Sequence, residues 1–137
     1  MSTRTAAPTP SIRRLLLAGL VAGGLSAMGV TFVAAMAHSA GVPFTVDGER
    51  IELPAFTLWV LVGTAIGVVL ARCIHDRRRF FIVTVIGTAL SLIPALLLPD
   101  DASTRVALVV IHLLAAGIII PILSRALYPA PLMARPD

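Results

Sequence analysis

Few side chains in this chain could do chemistry in an apolar setting. His112 stands inside "VVIHLLAAGIIIP", residues 109–121, and Thr31, Thr64 and Ser91 interrupt other apolar runs. An imidazole changes charge near neutral pH. An ionisable group inside a membrane-length run is a functional hypothesis by default, as a proton- or ligand-binding group. The competing reading is structural: a neutral ring whose N–H pins one helix to another, contributing about 0.6 kcal/mol and seldom more than ~2. A proton path usually needs carboxylates, and no apolar run contains one. Cys73 is the single cysteine, and it lacks the C-x-x-C or His/Cys grouping that a zinc or haem site requires, so it reads as a small apolar residue near a helix end. No nucleophile–base motif, H-E-x-x-H or phosphate loop is present. Asp47, Glu49, Glu52, Asp100 and Asp101 gather in the connections, but their spacing fits no calcium loop. The chain is therefore expected not to be an enzyme, and no metal or cofactor is called for.

The elements that carry these residues follow from composition. Of 137 residues 58% are hydrophobic and 13% charged, and mean hydropathy is +0.97. Soluble domains carry about 25% charged residues, so this chain has too few to coat a surface facing water. Crossing a bilayer takes roughly 20 apolar residues. Four windows qualify, at 15–37, 54–71, 80–98 and 106–123, and none contains Asp, Glu, Lys or Arg. The expected fold is an all-α four-helix transmembrane bundle, one membrane domain over 13–128. Short polar, proline-bearing tails at 1–12 and 129–137 read as disordered or flexible.

Arginine sets the orientation. With the N-terminus in the cytoplasm, nine arginines (4, 13, 14, 72, 77, 78, 79, 125 and 135) lie inside, against Arg50 and Arg105 outside. That is the positive-inside bias of a multi-pass protein of the cell membrane with both termini cytoplasmic. The net charge of +4 is explained by these helix-end arginines, with no nucleic acid required. "IRRLLLAGL" followed by "AMA" resembles a cleavable signal, but its apolar run of 23 residues exceeds the usual signal core of about 7–15.

Depth and spacing suggest how the spans meet. At 1.5 Å per residue Thr31, Ser91 and His112 fall about 10–12 Å below the outer boundary, with Thr64 slightly deeper, which makes a candidate polar layer. Pro94 and Pro121 read as helix breaks that free the carbonyls of Leu90 and Gly117. A His112 N–H reaching Ser91 or the Leu90 carbonyl would join spans three and four. Small residues four apart let helices approach closely in lipid. They recur at Gly19, Gly23 and Ala27, at Gly63, Gly67 and Ala71, and at Gly87, Ser91 and Ala95. Between spans one and two, apolar and polar residues alternate on either side of Asp47-Gly48, the signal of a short outer β-hairpin; an irregular folded loop is the alternative. Trp59 and Tyr128 suit the membrane interfaces, and "HDRRR" (75–79) is a tight cytoplasmic turn within reach of anionic head groups.

"AGVPFTV", "RRRFF", "SLIP" (91–94) and "IHLLAAGIIIP" (111–121) carry a resemblance over about residues 13–127. The chain is similar to a family of small four-helix membrane proteins of actinobacteria, known only as a domain of unknown function. The resemblance implies four spans and a membrane location, and no activity or site residue. The expected partners are the lipid bilayer and either a second copy or another membrane protein. The function expected is a non-enzymatic structural or partner-binding bundle. The alternative is a small oligomeric transporter, or a proton- or ligand-sensing protein, working through the layer around His112.

Overall fold

The computed structural model describes residues 11–127; the expectations for 1–10, for Tyr128 and for 129–137 lie outside them, while Ser11 and Ile12, expected in the N-terminal tail, instead open α1. Four helices dominate: α1 (Ile12–Ser39), α2 (Leu53–Cys73), α3 (Arg77–Leu97) and α4 (Ala102–Ala126). All four are long and apolar enough to cross a membrane. They run up and down, so the α1–α2 and α3–α4 connections share one end, here the hairpin end. The α2–α3 turn shares the other end with the N-terminus of α1 and the C-terminus of α4.

Local chemistry fixes the helix boundaries. Ser11, Asp76 and Asp101 are N-caps, each side chain accepting from a backbone N–H three residues on, at Arg14, Arg79 and Thr104. Helix α1 ends in a Schellman motif: Gly41 N–H donates to His38 O and Val42 N–H to Ala37 O, both at 3.0 Å. Gly41 takes the φ of +92° that this motif needs and an L side chain resists.

The hairpin forms as β1 (Thr45–Val46) and β2 (Glu49–Arg50), paired antiparallel with Thr45 opposite Arg50 and Val46 opposite Glu49. Asp47 (φ 51°) and Gly48 (φ 79°) supply the two positive φ values of a type I′ turn. Two strands this short are marginal alone, and here the α3–α4 connection holds them. Val46 bridges to Pro99, Asp100 N–H donates to Thr45 O (3.2 Å), and Gly48 N–H donates to the Asp100 carboxylate (3.0 Å). Phe44 anchors the cap in the bundle's mouth, 1% exposed, edge-on to Phe56 with ring centroids 5.1 Å apart.

Packing is uneven around the bundle. Helix α1 lies against α2 and α4, and α4 also lies against α3, whereas α2 and α3 scarcely touch. One core cluster sits at the hairpin end around Val30, Phe44, Phe56 and Ile111. A second sits at the opposite end around Leu15, Ala71, Phe80 and Leu123. Outward faces stay apolar: Leu20, Met28, Trp59 and Leu97 are each at least 70% exposed. Large side chains exposed all round a bundle suit lipid rather than water.

Asp101 gives a pH prediction. Hydrogen bonds from the Ser103 hydroxyl, then from the Thr104 hydroxyl and N–H, lower its pKa from 3.8 to about 2. A carboxylate depressed in the fold stabilises it above the unfolded value and loses that contribution as pH falls through the folded one. Wild type is therefore expected to lose stability between about pH 4 and pH 2 at this site. Asp101→Ala should be less stable at pH 7 and should flatten that part of the curve. Thermal melts of both proteins across pH 2–7 check it; parallel curves would remove Asp101 as the cause.

Candidate functional site

The candidate polar layer does not assemble into one site. Thr31 on α1 pairs with Thr57 on α2, hydroxyl to hydroxyl at 2.8 Å. Thr64 is buried and donates to Val60 O in its own helix at 2.8 Å. Its methyl lies where a Cβ on Gly23 would come within 3.3 Å. Ser91 is exposed and donates to Thr88 O at 2.7 Å. His112 is half-buried, and its Nδ1 meets Leu108 O, one turn back, at 3.0 Å.

The expected bond from His112 to Ser91 or to the Leu90 carbonyl is therefore not the one made. A ring or hydroxyl in a helix has its own carbonyls three or four residues back within reach, at no cost in helix–helix geometry. That local option wins for Thr64, Ser91 and His112 alike. Since a carbonyl only accepts, the His112 bond requires a hydrogen on Nδ1.

Pro94 and Pro121 do not break their helices; α3 runs on to Leu97 and α4 to Ala126. Each proline forfeits one backbone bond close to a helix end, and the turns beyond it close, with Leu98 N–H donating to Pro94 O at 3.0 Å.

The small-residue stripes divide. Gly19 and Gly23 face α2, where an added Cβ on Gly19 would stand 2.5 Å from Val68 Cγ2. Ala27 is partly buried against the hairpin-end core. In α2, a Cβ added on Gly67 would stand 2.9 Å from Leu123 Cδ1 and Ala71 is fully buried, but one on Gly63 would meet open space. In α3 only Ala95 of the stripe is buried; Gly87 meets nothing within 4 Å and Ser91 is exposed. The inward face of α3 is instead Phe80, Thr84, Thr88, Leu92 and Ala95, in steps of three and four.

Besides Arg14 Nη2 donating to Arg125 O on α4 at the arginine-rich end (3.4 Å), two polar links between helices were not singled out from the sequence. One is Thr57, the partner of Thr31. The other is Ser26, fully buried, whose hydroxyl donates across to Ala115 O on α4 at 3.3 Å. Ser26 lies one helical turn beyond Ala22 and Gly23, so the buried face of α1 was the available signal. Every buried side-chain N or O among the described residues has a hydrogen-bond partner. Two of the acidic residues at the hairpin end serve structure: Asp100 holds Gly48 and Asp101 caps α4. Among the described residues no three His, Cys, Asp or Glu groups converge as a metal site would require.

Compared with known proteins, residues 10–129 match DUF6069, a family of unknown function. No curated protein and no solved structure matches the chain.

Proposed function

Because this chain belongs to DUF6069, a family of unknown function, we propose its role from its own geometry: a multi-pass integral membrane protein, non-enzymatic, that binds a membrane partner through α3. The bias of arginines to one end supports a cell-membrane location with both termini cytoplasmic. The observation that carries partner binding is the outward turn of Gly87 and Ser91, on the helix that is least buried of the four. Small side chains facing lipid leave room for another helix to approach at backbone distance. That helix belongs to a second copy or to another membrane protein.

A second reading, transport or sensing through His112, draws on the half-buried ring whose Nδ1 meets its own helix at Leu108 O. One complementation experiment separates the two. Resistance of the protein to alkaline-carbonate extraction from membranes first tests the location. In a deletion strain, Gly87→Leu is then expected to fail and His112→Ala to restore function. His112→Ala should lower stability only by about 0.6 kcal/mol, the scale of a polar contact inside a membrane bundle. Failure of His112→Ala at unchanged stability, with Gly87→Leu active, would establish the sensing reading instead.

A further inference from the structure

Where α2 and α3 scarcely touch, a cleft of about 530 Å³ opens beside the α2–α3 turn at the arginine-rich end, lined by Cys73 at the end of α2, by Ile74–Asp76 of the turn and by Arg79, Ile82 and Val83 of α3. Two properties of this cleft argue for one occupant. The first is charge. Arg72, His75 and Arg77–Arg79 lie within eight residues, and Asp76, the acid among them, is engaged as the N-cap of α3, accepting from Arg79 N–H at 2.8 Å. Arg72 turns toward the same mouth, its Nη1 3.4 Å from His75 Nε2.

The second is the polarity gradient along α3. Phe80 is fully buried, which turns its neighbours outward. Arg79, Ile82, Val83 and Ile86 then stand in one column, at spacings of three, four and seven, and the three apolar members are 46%, 40% and 53% exposed. A cationic head with an apolar column leading away from the charged end has the layout of a phospholipid. A phosphate beside Arg79 would accept hydrogen bonds from its planar donor fork, and the acyl chain would lie along the column on α3.

We propose that this cleft is a binding site for one anionic phospholipid, with Arg79 on the phosphate and Ile82, Val83 and Ile86 along the chain. It rests on the membrane reading above, whose own test is carbonate extraction; the comparison of lipids below can fail while that reading stands. The zwitterionic lipids that surround any membrane helix would also cover the column, so selectivity for the anionic head is the content of the claim. Free phosphate would use the charged rim but not the column.

The test uses the full chain in detergent with phosphatidylglycerol or phosphatidylcholine added, read by retained lipid in native mass spectrometry. Wild type should retain one phosphatidylglycerol in preference to phosphatidylcholine. Arg79→Gln should weaken that retention about fivefold, the scale of one arginine at an anionic surface. Arg105→Gln, at the hairpin end, should leave it unchanged. Val83→Trp fills the apolar column while keeping every charge, and it should also expel the lipid. Equal retention of the two lipids, or full retention by Arg79→Gln or Val83→Trp, overturns the proposal. So does displacement by millimolar inorganic phosphate alone, which would identify an anion site without a lipid.

Discussion

Gly19→Leu is expected to destabilise the protein by about 3 kcal/mol or more, enough to prevent recovery of folded material, whereas Gly24→Leu, five residues on, should be nearly neutral. The contrast comes from what each backbone faces. A Cβ alone on Gly19 would stand 2.5 Å from Val68 Cγ2, inside any contact that carbon atoms tolerate. Valine has little freedom to step aside, because its branched Cβ restricts χ1. The remaining relief is to part α1 from α2, and that would open the adjoining contact of Gly23 with Thr64 and Leu61. Overpacking by extra methylenes typically costs 1–3 kcal/mol, and leucine brings four carbons, so the effect lies at or beyond the upper end of about 3 kcal/mol. Gly24 faces nothing within 4 Å, and leucine there also suits a helix better than glycine. Thermal unfolding of both variants in detergent reads the difference. Matching midpoints for the two would mean that the α1–α2 seam is not a close-packed one.

The same seam shows how far the sequence could be read. Four apolar runs with charged connections define four helices by length alone, and α1, α3 and α4 begin three or four residues before their windows where Ser11, Asp76 and Asp101 supply caps. Asp47-Gly48 signals the hairpin because few other pairs accept two positive φ values in a row. What the pattern does not carry is rotation about each helix axis. Gly19 and Gly87 both begin stripes of small residues at steps of four, yet one is sealed against Val68 and the other faces outward. Hydropathy cannot separate them, since lipid-facing and core-facing positions are equally apolar when the solvent is hydrocarbon.

Depth was similarly insufficient for the polar layer. Thr31 meets Thr57 while Thr64 lies against Gly23, two turns away along α1, so the residues do not share one level, and a hydroxyl or ring nitrogen that can reach its own helix has no need of a neighbour at the same height. Thr31 does cross to another helix because Thr57, on the facing side of α2, offers a second hydroxyl. The cleft beside the α2–α3 turn was invisible for another reason. It arises from the way the four helices choose neighbours, and a tight three-residue turn between α2 and α3 would ordinarily imply close packing along their length.

Phe44→Ala should be the most damaging substitution at the hairpin end, costing about 3–5 kcal/mol and freeing residues 45–50 from the bundle. The ring is 1% exposed and packs among Val30, Ala34, Phe56 and Ala107, so truncation leaves a cavity bounded by three different helices. Loss of the edge-on pair with Phe56 adds about 0.5–1.5 kcal/mol, within that range. The backbone makes the assignment sharper. Phe44 holds φ at 52°, a conformation that costs a non-glycine residue about 1 kcal/mol or more and persists only where packing over-determines it. Removing the ring removes that reason, and the Ile51 N–H to Phe44 O bond (2.8 Å) that closes the hairpin should go with it. Phe44→Gly then provides an internal check. It leaves the same cavity but relieves the strained φ, so it should recover up to about 1 kcal/mol relative to Phe44→Ala despite the smaller side chain. Unfolding midpoints rank the two, and limited proteolysis at Arg50 reports release of the cap. If alanine proved the more stable of the pair, or if Arg50 stayed protected in both, the ring would not be what seats the hairpin on the bundle.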